Sequence, residues 1–291
     1  MTSPAVYSDV VCHLGEGPSA HPTLGRLFWF DILGRRLLER RFDRAGTTIN
    51  DLPFVASVAA VIDGDRQLIV AENGLHVRDI ATNRLMLLKP HLADDKATRT
   101  NDGRVHPSGS LWFSTMRWDV ADGTGAIWWF RGGEIRRLLA DTPIAIPNAI
   151  SFAPDGTHAY FSCSKQATVF RVATDPATGL PTGDAKVFTK VSDGGPDGAV
   201  VDVDGLLWNA RWGGGAVDVY APDGRRVASH PVPATQSSCP AFVGPNADRL
   251  AVTSAWEGMD AAAREADPFA GQTFLLDVPV KGRFDPPVVI A

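Results

Sequence analysis

The sequence predicts an all-β fold, a six-bladed β-propeller in which each blade is a four-stranded antiparallel sheet, and three observations carry the prediction. Among 291 residues, 28 Gly and 21 Pro dilute the helix formers, while Val, Ile, Phe and 8 Trp are spread along the chain; this suits many short strands joined by turns. A turn followed by an apolar or aromatic triplet recurs with Leu27, Leu68, Leu111, Ala159, Leu207 and Leu250 as markers, spaced by about 41 to 48 residues, the length of a propeller blade. A lone blade cannot bury both its faces, so such repeats gain a core only by stacking radially, and a closed ring leaves no long exposed edge.

Taken in order, residues 6–13 precede the first complete hairpin and are expected to supply the outer strand of the last blade, fastening the ring. Third strands are expected at residues 36–40, 75–78, 126–130, 168–171 and 216–220, with a fourth in several units, as at 134–139. In the fifth unit a strand over 199–203 should reach an Asp204-Gly205 turn and return over 206–208, an arrangement favoured in hairpins. Residues 1–291 are read as one domain, since all-β barrels and propellers reach this size as single units.

The repeat also sets a phase. Ten to twelve residues before each marker lies the residue that starts the innermost strand: Glu16, Ser57, Asn101, Asn148, Asp197, and Ser238 with Cys239. These small polar or acidic groups should share one mouth of the central channel, while the residues after them are apolar. Second strands return to that mouth, so their ends, including Cys163, are candidates for supporting groups. Glu16, Asn148 and Asp197 together offer two carboxylates and an amide oxygen, a set for one hard divalent cation: calcium, magnesium or manganese, with zinc or iron tolerated. Read singly, Glu16 is a strand-starting carboxylate, and Asn148 and Asp197 are turn residues after proline.

Composition narrows the function. A net charge of −5 with scattered basic residues lacks the footprint of a nucleic-acid binder. No apolar run approaches a membrane span and no leader pattern is seen, so a cytoplasmic protein without a membrane partner is expected. Cys12, Cys163 and Cys239 are too few and too widely spaced for a disulfide framework. Serine-hydrolase elbow, P-loop and His-Glu-x-x-His motifs are missing. Oligomeric state is left open.

The ordered series Leu14-Gly-Glu-Gly-Pro18, Arg99-Thr-Asn-Asp-Gly103, Pro147-Asn148, Pro154-Asp-Gly156, Pro196-Asp-Gly198 and Ser238-Cys-Pro-Ala-Phe242 resembles the senescence marker protein/gluconolactonase/regucalcin-like family. The resemblance covers nearly the whole chain. It implies a six-bladed propeller with one divalent cation on Glu16, Asn148 and Asp197, and with Arg99 and Asn101 binding substrate beside it. The implied reaction is hydrolysis of a sugar lactone, gluconolactone-like, to the aldonic acid, with Asp197 as general base. Arg117 and Trp212 are expected to wall the sugar pocket, with Trp118 a further aromatic nearby. Two alternatives are a related hydrolase of other lactones or phosphotriesters and a non-catalytic cation- or ligand-binding propeller. The chain departs from the family pattern at Arg104 (usually Lys), Ala149 (usually Gly), Val243 (one of a glycine pair) and Cys163 (usually Asp), which bears on which lactone is preferred.

Overall fold

The computed structural model describes residues 5–291, so the first four residues of the expected 1–291 domain lie outside the described residues. Six four-stranded antiparallel sheets follow one another around a ring, giving the six-bladed propeller. Their innermost strands are Gly15–His21, Ala56–Val61, Thr98–Val105, Pro147–Phe152, Gly195–Val201 and Ser237–Val243. We number the blades 1 to 6 by these strands. The ring closes through the N-terminal segment, by a strand shorter than the expected 6–13: Ala5–Ser8 pairs antiparallel with Thr273–Leu276 as the outermost strand of blade 6.

Apolar residues on the two faces of each sheet fill the spaces between neighbouring blades. Phe28, Phe30 and Ile32 of blade 1, for example, pack with Ala56, Ala59 and Ile69 of blade 2, and Trp112 and Ile127 of blade 3 with Phe152 and Phe161 of blade 4. Full burial of one such side chain stabilises the fold by about 1.5–3 kcal/mol, so radial stacking supplies what a single sheet cannot.

Every innermost strand carries one extra residue against its neighbour, at Glu16/Ser19, Ala56/Val58, Thr100/Gly103, Asn148/Ser151, Pro196/Ala199 and Ser237/Pro240. A β-bulge of this kind bends the strand and re-aims a side chain. The residues singled out by phase lie at these bulges.

The fifth-blade hairpin differs in its bounds from the expected one. Its first strand begins at Gly195, before the bulge, and ends at Val201. The turn is wider than a two-residue Asp-Gly connection because Asp202 caps it: its carboxylate accepts from the Asp204 and Leu206 amides (3.0 and 2.9 Å) and from Trp208 Nε1 (2.9 Å). Gly205 takes the left-handed conformation (φ 81°) that the turn needs. Among the described residues no helix is long and apolar enough to cross a membrane.

Candidate active site

The bulged ends of the inner strands open into a cavity of about 290 Å³. Glu16, Asn101, Asn148 and Asp197 line it, from blades 1, 3, 4 and 5, together with Arg99, Ser164, Trp212 and Glu257. Leu14, Met116, Val120 and Ile146 supply apolar wall. A polar floor with an apolar, partly aromatic side suits a sugar ring, which has both hydroxyls and C–H faces.

The two phase positions that do not line the cavity join blades instead. Ser57 Oγ pairs with Thr100 Oγ1 of blade 3 (2.7 Å), and Ser238 Oγ donates to the Gly15 carbonyl of blade 1. Cys239 lies against Gly198, where any Cβ would run into its Sγ. That close approach sets the strand carrying Asp197 beside blade 6.

Hydrogen bonds order the floor. Asn101 Nδ2 donates to Asn148 Oδ1 (2.7 Å) and to the Pro147 carbonyl (3.0 Å). Asn101 Oδ1 accepts from Arg99 Nη1 (2.7 Å), and that nitrogen also donates to the Thr100 carbonyl (3.0 Å). Asn148 Nδ2 donates to Ser164 Oγ (2.9 Å), which itself donates to the Pro196 carbonyl (2.7 Å). Asn148 Oδ1, on a residue that lines the cavity, has a second lone pair beyond the one Asn101 uses.

Electrostatics single out the carboxylates. Burial comes first in raising both Glu16 and Asp197 above the ordinary carboxylate range, and the negative charges around them add to it, Asp102 for Glu16 and then Glu16 itself for Asp197. The two carboxyl groups are close enough to share a hydrogen bond. Burial pulls the Arg99 guanidinium down from its ordinary value, while Glu257, Glu16 and Asp197 hold it charged. Two buried carboxylates beside an amide oxygen form a site whose charge is relieved by a cation, and oxygen donors suit a hard one. Among the described residues no three His, Cys, Asp or Glu side chains gather to hold a metal, so the set that fits is Glu16, Asp197 and the Asn148 amide.

The remaining expected residues fall in different places. Trp212 lines the cavity. Trp118 does not, but its ring lies 5.5 Å from the Arg99 guanidinium and backs it. Arg117 is not among the lining residues; its guanidinium is bound to Asp119 (3.0 and 2.8 Å) at the surface. Cys163 is fully buried among the apolar side chains between blades 3 and 4, and its neighbour Ser164 is the residue that holds Asn148. Glu257 escaped the phase reading because it stands in the irregular loop after Arg249–Ser254, outside the repeat. Its one sequence signal is an acid next to Trp256 shortly after a second-strand end.

Residues 14–256 match the family model described as the SMP-30/Gluconolactonase/LRE-like region. A candidate sugar lactone lactonase of Rhizobium meliloti is 51% identical over 281 residues, covering 96% of this chain and 95% of its own. The pentonolactonase of Haloferax volcanii is 35% identical over 290 residues, 94% of each chain. Among solved structures, a calcium-binding protein, regucalcin, of Agrobacterium tumefaciens superposes with a TM-score of 0.95 at 46% identity, over 98% of this chain and 96% of that one.

Proposed function

Because the chain belongs to the SMP-30/gluconolactonase/LRE-like family, we propose that it is a cation-dependent sugar lactonase, hydrolysing the ring ester of an aldonolactone to the open-chain acid. The observation that carries this reading is the convergence of Glu16, Asn148 and Asp197 on the cavity that Arg99 and Asn101 also line. The lactonase relatives supply the reaction class.

Glu16, Asn148 and Asp197 would hold one divalent cation, which when bound supplies Lewis-acid polarisation of the lactone carbonyl. Asp197 acts as general base: it takes a proton from the attacking water and returns it to the ring oxygen as the C–O bond opens. Arg99 donates to substrate oxygens through the N–H groups not spent on Asn101 and Thr100. Asn101, with both amide hydrogens engaged, holds Arg99 and Asn148 in place and accepts from a sugar hydroxyl through Oδ1. Trp212 offers an apolar face to the ring carbons. The reading gives Arg117 no contact with substrate while it is bound to Asp119.

Proton release from gluconolactone, xylonolactone and arabinolactone, each compared with its spontaneous hydrolysis, tests the proposal. Turnover should be abolished by a chelator and restored by adding back a divalent cation. Asp197→Ala should lose about a hundredfold or more while remaining folded. A cation-loaded protein no faster than buffer on any lactone removes the enzyme reading.

A further inference from the structure

We infer that Glu257 and Arg99 read hydroxyls of an uncharged sugar lactone from opposite sides of the cavity, and that Glu257 excludes lactones carrying an anionic substituent. The inference rests on the lactonase reading and deepens it. Both residues line the same cavity. Arg99 belongs to blade 3 and Glu257 follows the second strand of blade 6, so in a ring of six they approach from opposite sides.

The backbone at Glu257 is held firmly for a loop residue. Trp256 donates its amide to the His13 carbonyl (3.1 Å) and stacks on the His13 ring at 3.9 Å between centroids. The Arg264 guanidinium lies 4.2 Å from the Trp256 ring centroid. Gln236 Nε2 then donates to the Glu257 carbonyl (3.0 Å). Ordering of this kind is what a binding residue needs to discriminate rather than adapt.

The Glu257 carboxylate makes no hydrogen bond or ion pair among the described residues, and on Arg99 only Nη1 is engaged. A carboxylate accepts and a guanidinium donates. Between them they match a polyol, whose hydroxyls do both. Charge argues the same way: Glu16, Asp197 and Glu257 carry three negative charges, balanced by Arg99 and a divalent cation. A neutral lactone preserves that balance, whereas a phosphate or sulfonate beside Glu257 meets like charge in a partly desolvated space.

The experiment compares kcat/KM for gluconolactone and its 6-phosphate in the wild type, Glu257→Gln and Glu257→Lys, with thermal melts to establish that all three are folded. The wild type should prefer the neutral lactone. Glu257→Gln should lose roughly tenfold on it, mainly through KM, and narrow the preference. Glu257→Lys should move the ratio toward the phosphorylated lactone by about a hundredfold, a like-charge contact having become an attraction. The same ratio in all three proteins, or a wild type that prefers the phosphate, overturns the inference and leaves the lactonase reading standing. A wild type that hydrolyses no lactone overturns that reading and the inference with it.

Discussion

At the scale of single residues, the Glu16–Asp197 pair decides the behaviour of the site. Burial, with the Asp102 charge behind it, pushes Glu16 from its ordinary 4.5 up to about 8, and burial with the Glu16 charge raises Asp197 well above its ordinary range, so without a cation Glu16 is largely protonated at neutral pH. A cation on the proposed ligands needs ionised carboxylates, so its binding must expel protons and its affinity must climb as pH rises toward about 8. Titrating calcium or manganese into weakly buffered protein at pH 7 should acidify the solution, and Asp197→Asn should cut the release; cation binding without proton release would refute the coupling. The same shift sets stability. A carboxyl whose value is raised by folding binds more protons folded than unfolded, so the contribution of Glu16 to cation-free stability is fully present below 4.5 and is lost as pH rises toward 8, and added cation should recover it. The identity of this pair was legible in the sequence because the repeat fixes which residue of each blade starts the inner strand. Ser164 as the support for Asn148 was not, since Cys163 and Ser164 both stand at the strand end and only packing shows that the thiol turns into the core.

At the scale of elements, the bulge on each inner strand is the device that converts a regular ladder into a ring of inward-aimed side chains. Its geometry depends on small residues at chosen places. Gly17, directly after Glu16, has φ 56°, and a Cβ there would collide with the Ser57 carbonyl of blade 2. Gly17→Ala therefore combines left-handed strain with backbone overlap and should cost about 2–4 kcal/mol, read from the urea midpoint; Gly46→Ala, at an open turn with no atom within 4 Å of the added Cβ, should cost much less. Equal losses at the two positions would mean that strain, not the contact between blades, governs. In blade 4 the corresponding bulge is held from outside its own sheet: Asp102 Oδ2 accepts the Ile150 amide (2.8 Å), and Ala149 takes φ 56° where the family pattern has glycine. Alternation and turn residues revealed the strands, yet a bulge adds one residue without any compositional mark. This is why the hairpin at 199–208 was readable in outline and its ladder toward Gly195 was not.

At the scale of the whole molecule, the chain closes its ring twice. The first closure, Ala5–Ser8 beside Thr273–Leu276, follows from the repeat count. The second is made by the segment after Leu276, which crosses the channel mouth opposite the cavity without strand structure. Its backbone bonds to blades 6, 5, 3 and 2 through Ala247, Val203, Gly109 and Val61, and Arg283 donates to Phe152 of blade 4. That course was not readable because irregular backbone carries no periodicity. At its centre Asp285 pairs with Arg104 (2.9 Å), a guanidinium only 9% exposed that also faces Asp102. Removing Asp285 leaves a buried cation short of a partner, a loss of about 3 kcal/mol, or roughly 5 °C in melting temperature for a chain of this size. Asp285→Asn keeps an acceptor and should lose less than Asp285→Ala, and truncation after Val278 should lose most, since it uncovers the channel as well. The proposed cation ligands sit on inner-strand bulges at the other end, so any cation affinity they provide should survive in Asp285→Ala where it folds. Truncated and full-length chains melting at the same temperature would show that the crossing segment only rests on the propeller and does not brace it.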